Sequence, residues 1–509
     1  MPVPKQIVHS LIIGGLFLLP SGAIASEVTL AGGPDEAKVY VADAAKDHTS
    51  PEFVEGPELS IVTVPAGRQL RVEGRCARAS HAVTIAGGAL QNLTATTCKD
   101  GKFTALVDRR TEGGGGDIIA NQLMPSGSIL VARAKAPSEV AGNPAGSKRV
   151  NIEAFSQVVR GLRPGDHVRL EPGTYSDVRL GIPKAVSGTP DRPIVIDGQG
   201  QVTLTGKSAI RVRGSFVTLT GINFEETGRR SLDITGQGVR VSRSKFDRCG
   251  DPQRPKSECI YISEGARNAE LDSNVFANSV SMSVKVRAGA EDEVQPENVY
   301  IHHNVFRDIE RRSGNGQEPI QISGPRGGIA DIPLKARVEH NIFYRASGDV
   351  EAVSLKTKDN VIRWNVFKDL NAAPTMRGSR NNTVTNNLLV RSLPIRIAGI
   401  EPTVTDNVVV CPRTAHGIAI YNGSAMYAAV RNGVFSGNTI VARRGVHVLT
   451  PRGELLGRAA DNRITDNVLM SGGAMFSAAD GQLDEVLSRN KTGPNAQLEK
   501  EGILKLCEY

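Results

Sequence analysis

The sequence predicts an all-β chain: a right-handed parallel β-helix (solenoid) preceded by a small β-rich N-terminal domain. Three observations carry that prediction. A short unit, Asn followed by two apolar residues, recurs from Asn274 to Asn467 at intervals of 20 to 37 residues. No helical segment separates the copies, which excludes a leucine-rich horseshoe. Composition agrees, with 54 glycines, 39% hydrophobic residues and 4% aromatics, a balance suited to a β-rich fold and too apolar for disorder.

The copies are Asn274-Val275-Phe276, Asn304-Val305-Phe306, Asn341-Ile342-Phe343, Asn365-Val366-Phe367, Asn387-Leu388-Leu389, Asn407-Val408-Val409, Asn438-Thr439-Ile440 and Asn467-Val468-Leu469. Ile222-Asn223-Phe224 and Ser244-Lys245-Phe246 read as degenerate earlier copies. A coil of this kind cannot bury its apolar face alone, so coils stack and their apolar residues form one internal column. Asn tolerates left-handed backbone angles and so suits a tight turn. Stacked at one turn, the side chains can also hydrogen-bond to one another. The longest interval, 304 to 341, marks a protruding loop.

Upstream the pattern differs. Residues 26–133 hold short alternating strands such as Leu59-Ser60-Ile61-Val62-Thr63-Val64, expected to form the small β-domain. Residues 134–149, with Pro137, Gly142, Pro144 and Gly146, read as a linker, and 150–509 as the β-helix. Over residues 1–25, Lys5, the apolar run from Leu11 to Leu19 and Ala23-Ile24-Ala25 read as a cleaved export signal. The run is too short to span a bilayer, so the mature chain is expected in the periplasm or secreted. Six cysteines then imply three disulfides, Cys76–Cys98, Cys249–Cys259 and Cys411–Cys507, the first two paired by proximity.

A net charge of +8 suits a polyanionic partner but does not choose among nucleic acid, anionic lipid and acidic sugar, or distinguish them from a merely basic surface. The chemistry concentrates between residues 313 and 380. Asn315 precedes the strand Ile320-Gln321-Ile322; one coil on come Asp349, Glu351 and Lys356; one more coil on comes Arg377. Strand alternation sends Asp349 and Glu351 to one side. Two carboxylates with an amide oxygen from the adjoining coil make a pocket for a hard cation such as Ca²⁺.

The ordered set Asn315, Ile320-Gln321-Ile322, Glu339-His340-Asn341-Ile342-Phe343, Asp349-Val350-Glu351-Ala352-Val353-Ser354-Leu355-Lys356, Asn360 and Met376-Arg377-Gly378 resembles polysaccharide lyase family 6, which contains the alginate lyases and chondroitinase B. Leu162-Arg163-Pro164-Gly165-Asp166, Pro172-Gly173-Thr174-Tyr175 and Pro193-Ile194-Val195-Ile196 resemble its opening coil. The likeness spans roughly residues 150 to 500 and leaves the N-terminal domain unexplained.

By this resemblance Asn315, Asp349 and Glu351 are expected to hold calcium, Lys356 to act as Brønsted base and Arg377 as Brønsted acid. It implies β-elimination on an anionic polysaccharide, with alginate ranked ahead of dermatan or chondroitin sulfate. Neither a nucleic-acid partner nor membrane insertion is expected. Arg396, Arg380 and His340 are further candidates for substrate binding, and the single tryptophan, Trp364, for stacking on a sugar. Asp349 stands where the family usually has Glu, and Gly378 where a His is common. Two other readings compete. A uronan C5-epimerase would share the first proton abstraction, but no tyrosine falls in the 349–377 window. An exported β-helix could also bind anionic polysaccharide without cleaving it.

Overall fold

The computed structural model describes residues 148–493, apart from 255–256, 291, 313, 325–330, 452, 472 and 479–485, together with strand segments between residues 25 and 135. Residues 1–24 of the expected export signal, residues 136–147 of the expected linker, and Cys507, the expected partner of Cys411, lie outside the described residues. The chain forms two compact units, Met1–Glu139 with Ala496–Tyr509, and Val140–Asn495. Among the described residues no helix is long and apolar enough to cross a membrane.

In the first unit, a five-stranded sheet and a three-stranded antiparallel sheet are accompanied by a two-stranded hairpin, Ala25–Leu30 with Ala37–Ala42. Leu70, Val72, Val83, Ile85, Phe103 and Ile118 are buried in one cluster, with the Cys76–Cys98 disulfide among them. That disulfide is one of the two proximity pairings expected from the sequence.

The second unit is the parallel β-helix. Each coil contributes one strand to a twelve-stranded parallel sheet and two strands to a 25-stranded sheet that bends at a corner between them. One coil, for example, runs Glu258–Ile262, Glu270–Asp272, Val275–Ala277; the next runs Met282–Arg287, Tyr300–His302, Val305–Ile309. Each of these strands pairs with its counterpart one coil on. The first Phe of the repeat therefore stacks on the next. Phe224, Phe246, Phe276, Phe306, Phe343 and Phe367 form a column of nearly parallel rings with centroids 4.6 to 4.9 Å apart. That separation is the strand spacing itself. The Cys249–Cys259 disulfide, the second proximity pairing, lies fully buried in this core.

The repeat Asn residues form a ladder at the corner. Each side-chain amide from Asn274 through Asn467 donates to the carbonyl oxygen of the next Asn at 2.9 to 3.0 Å, and the ladder ends on Asn490. The same oxygen also accepts the backbone N–H of the preceding ladder residue. Of the degenerate copies, Ser244 takes the ladder position, while Asn223 instead donates to the Gly200 carbonyl.

One expectation is corrected here. The left-handed backbone at this corner belongs to the residue before each Asn: His303, His340, Trp364, Asn386, Asp406 and Asp466 all have φ between 52° and 58°. Asn is required for its amide, which satisfies buried backbone groups, and the strain of the turn falls on its neighbour. Asn365→Ala is accordingly expected to cost about 2–4 kcal/mol, because several buried donors and acceptors lose their partners at once. Denaturant unfolding checks this. A change under about 0.5 kcal/mol, the range of an ordinary surface substitution, would show that the ladder is ornamental.

Candidate active site

The twelve-stranded sheet positions the chemistry. Its strand Ile320–Ser323 pairs with Glu351–Leu355, which pairs with Ala373–Arg380, which pairs with Ile395–Ile400. Alternation turns Ile320, Ile322, Val353, Leu355, Met376 and Ile397 into the core. It leaves Gln321, Ser354, Thr375 and Arg396 as one outward row, with Arg377 beside it on its own strand and Lys356 just past the end of Glu351–Leu355. A bulge at Ala352 interrupts the pairing just after Glu351.

Glu351 is the centre. Its carboxylate is buried and accepts from the Ser354 hydroxyl and from Arg377 Nη1 at 3.3 Å. Lys356 Nζ lies 3.8 Å from its Oε2 and Arg396 Nη1 4.0 Å from its Oε1. Burial alone would raise its pKa; Lys356, the Ser354 hydroxyl, Arg377 and Arg396 outweigh burial and hold the carboxyl below its ordinary value.

Asp349 is placed by backbone. Its Oδ2 accepts the Gly316 N–H at 3.0 Å and its Oδ1 the Glu351 N–H at 3.3 Å. Gly348 makes that approach possible, since a Cβ there would meet the Gln317 carbonyl oxygen at 2.7 Å. Gly378, where the resembled family tends to have His, takes φ +60° at a second bulge, a conformation glycine adopts without strain.

The structure adds residues that the sequence did not single out. Glu318 is 1% exposed. Its Oε1 accepts from the Gln321 amide at 2.7 Å and lies 3.6 Å from Lys356 Nζ. Its Oε2 is buried without a hydrogen-bond partner. Burial, then the charges of Asp349 and Glu351, push the Glu318 carboxyl up against the opposing pull of Lys356. Lys356 thus stands between two carboxylates. Lys285, one coil before Gln321 in the outward row, has its ammonium pushed down by burial, with Glu258 and Glu318 opposing the shift.

Two tyrosines border the far side. Tyr421 accepts from Arg396 Nε at 3.3 Å and stacks on Tyr427 with centroids 4.9 Å apart. The Arg377 guanidinium lies 5.4 Å from the Tyr427 ring centre. A window drawn from 349 to 377 could not have contained them, because they return on later coils.

The remaining sequence candidates lie elsewhere. Asn315 is exposed on the loop before Ile320, one residue from the Gly316 N–H that holds Asp349. Arg380 is past the Gly378 bulge, paired with Glu401 at 3.1 Å. His340 occupies the left-handed corner of the 25-stranded sheet, stacked between His303 and Trp364 at 5.2 and 5.0 Å, with burial driving its pKa well down. Arg363 covers Trp364 at 4.0 Å, so the tryptophan takes part in corner packing. Among the described residues, one acid–histidine set closes within 4.8 Å, Glu270, Asp272 and His302. There Arg240 already forks onto Asp272 at 2.7 and 3.0 Å and His302 pairs with Glu270 at 2.9 Å.

A parallel β-helix that gathers carboxylates, a lysine and arginines on the outer face of one sheet has the architecture of a polysaccharide lyase. Residues 150–442, more than half of the chain, match the chondroitinase B family model, and the chain belongs to that family of polysaccharide lyases. Solved structures agree on the fold. The family 6 alginate lyase AlyGC superposes with a TM-score of 0.61 at 22% identity over 69% of this chain and 52% of its own, so the chain spans about half of AlyGC. A mannuronic acid specific family 6 lyase from human gut microbiota gives 0.59 at 20% identity, over 71% of this chain and 94% of its own. A family 6 polysaccharide lyase from Pseudopedobacter saltans gives 0.58 at 16%, over 69% and 94%. No curated protein matches the chain.

Proposed function

We propose that the chain cleaves a uronic-acid polymer by calcium-assisted β-elimination, with alginate ahead of dermatan or chondroitin sulfate, leaving an unsaturated uronyl end. The observation that carries this reading is the convergence of Lys356, Arg377 and Arg396 on the buried carboxylate of Glu351. Placing alginate first rests on the alginate lyases among the structural relatives, which are proteins under 25% identical.

The residues present fit a hard divalent ion. The donor set is oxygen-rich, and a buried carboxylate oxygen of Glu318 lacks any proton donor. Asp349 and Glu351 would hold the ion, with a third oxygen from the 315–318 loop. When bound, such an ion supplies Lewis-acid neutralisation of the uronate carboxylate, which makes the adjoining C5 proton more acidic.

The chain's own side chains do the rest. Lys356 is about a quarter exposed, so its amine can meet substrate, and it takes the C5 proton. The electron pair left at C5 forms the C4–C5 double bond as the C4–O bond breaks. Arg377 donates hydrogen bonds to the departing glycosidic oxygen, stabilising its charge. Arg396, whose Nη1 is buried without a hydrogen-bond partner, binds a sugar carboxylate.

Ultraviolet absorbance of the new double bond, followed over alginates and glycosaminoglycans with and without chelator, tests the reading. Absorbance that grows with alginate and falls when metal is stripped is expected. Growth unaffected after exhaustive stripping contradicts the calcium assignment. Arg396→Ala is expected to raise KM by about tenfold to a hundredfold, the worth of one charge-assisted hydrogen bond, with a smaller effect on kcat. Initial-rate kinetics decide, and an unchanged KM removes Arg396 from substrate binding.

A further inference from the structure

We infer that Tyr421 is the acid of the reaction, its phenol handing a proton to the departing glycosidic oxygen beside Arg377. The inference rests on the lyase reading proposed above and names a source for the proton that the leaving oxygen takes up.

Elimination frees an alkoxide on the leaving sugar, and protonating it as it departs lowers the barrier. A guanidinium offers five donors but does not give up a proton in proteins, so Arg377 steadies the charge without quenching it. Lys356 is the proposed base, and Glu318 lies enclosed beside it, 1% exposed. A phenol both donates a hydrogen bond and releases its proton.

The geometry puts one within the site. Arg377 Nη1 and Arg396 Nη1 lie 3.3 and 4.0 Å from the same oxygen, Glu351 Oε1, which sets the two guanidinium groups side by side. Arg396 Nε donates at 3.3 Å to the Tyr421 hydroxyl. The Tyr421 ring stacks on Tyr427 at 4.9 Å, and the Tyr427 ring centre lies 5.4 Å from the Arg377 guanidinium. Glu351, Arg377, Tyr427, Tyr421 and Arg396 thus close a circuit.

Two observations choose Tyr421 over Tyr427. Its oxygen already accepts from a cation, so the charge it gains on losing the proton is met at once. It also ends the strand His416–Tyr421, which pairs into the twelve-stranded sheet, whereas Tyr427 belongs to the loop beyond. Accepting leaves the phenol's own proton uncommitted, since among the described residues nothing accepts it. The side chain is half-buried, open to a polymer on the outer face.

The step balances. Lys356 takes the C5 proton, the C5 electron pair forms the C4–C5 double bond, the C4–O bond breaks, and the departing oxygen takes the phenol proton. Lys356 is left as ammonium and Tyr421 as phenolate facing Arg396. Proton exchange with solvent restores both.

The test is Tyr421→Phe in the full chain, which keeps the ring on Tyr427 and deletes only the hydroxyl. Double-bond formation is followed on alginate oligomers and on an oligomer whose C4 leaving group is 4-nitrophenoxide, which departs without a proton. On the natural glycoside kcat is expected to fall by about 10²–10⁴-fold, the worth of a positioned acid, with KM little changed. The nitrophenoxide substrate should be opened within about threefold of the wild-type rate, because its departure asks for no acid. A hydroxyl that merely positions Arg396 would instead raise KM on both substrates. That outcome, or equal kcat losses on both, overturns the inference. Glycoside turnover within about threefold of wild type overturns it too, being far less than an acid contributes. So does a kcat loss found in Tyr427→Phe and absent from Tyr421→Phe. A wild-type chain that opens neither substrate overturns the alginate lyase reading itself, which is distinct from a wild type that cleaves and a Tyr421→Phe variant that cleaves equally well.

Discussion

Replacing Lys356 with alanine is expected to lower kcat on the cleaved uronan by about 10³-fold, within the 10²–10⁴ range that a positioned general base contributes. The fold should survive. Lys356 lies just past the strand Glu351–Leu355, a quarter exposed, while the core position beside it is Leu355. The loss should fall on kcat more than on KM, because the amine acts on a proton that moves only in the transition state. Conventional kinetics with the double-bond signal measure it. Activity within about threefold of wild type would show that the true base lies elsewhere, since general-base catalysis is worth far more than that.

Glu351→Gln should have the second large effect, on stability as well as activity. Three cations and a serine hydroxyl are arranged around this one buried carboxylate, and removing its charge leaves them facing each other. Breaking a buried ion pair by deleting one partner costs about 3–5 kcal/mol. Here about 2–4 kcal/mol is expected, because Lys356 and Arg377 are partly exposed and can turn to water. Chemical denaturation measures the loss, and turnover should fall to background. A variant as stable as wild type would mean that the cations were never organised by Glu351. Combining Glu351→Gln with Arg377→Gln should recover part of the lost stability, since the two residues are in contact and their effects are coupled.

Much of this was legible in the chain itself. The repeat of Asn and Phe announces stacked coils, because one coil cannot hide its own apolar face. The order acid, acid, lysine, arginine over Asp349, Glu351, Lys356 and Arg377 places those residues on or beside adjoining strands, and Lys356 and Arg377 meet at Glu351 in the structure. Glu318 was harder to see. It follows the longest loop, where coil length changes and counting by the repeat loses register. A local contact places it in the structure: the Gln321 amide donates to Glu318 Oε1 at 2.7 Å, and Gln321 pairs with Ser354 on the strand that carries Glu351.

Other parts could not be read so simply. Whether the left-handed residue at the corner is the Asn or its predecessor depends on backbone angles that residue preference leaves open. His340 and Trp364 consequently face the corner and each other, although by sequence both were candidates for touching sugar. Tyr421 and Tyr427 reach Arg396 and Arg377 only because later coils return to the same sheet, and nothing local to either tyrosine records that neighbourhood. Their presence also removes one ground for setting the epimerase reading aside, so product chemistry must separate the two.

Incubating alginate with the calcium-loaded chain in heavy water and following it by proton NMR makes that separation directly. Lyase chemistry predicts a growing vinyl proton at C4 of new chain ends and a falling degree of polymerisation. Deuterium at C5 in chains of undiminished length, or a polymer that is bound yet unaltered, would contradict it.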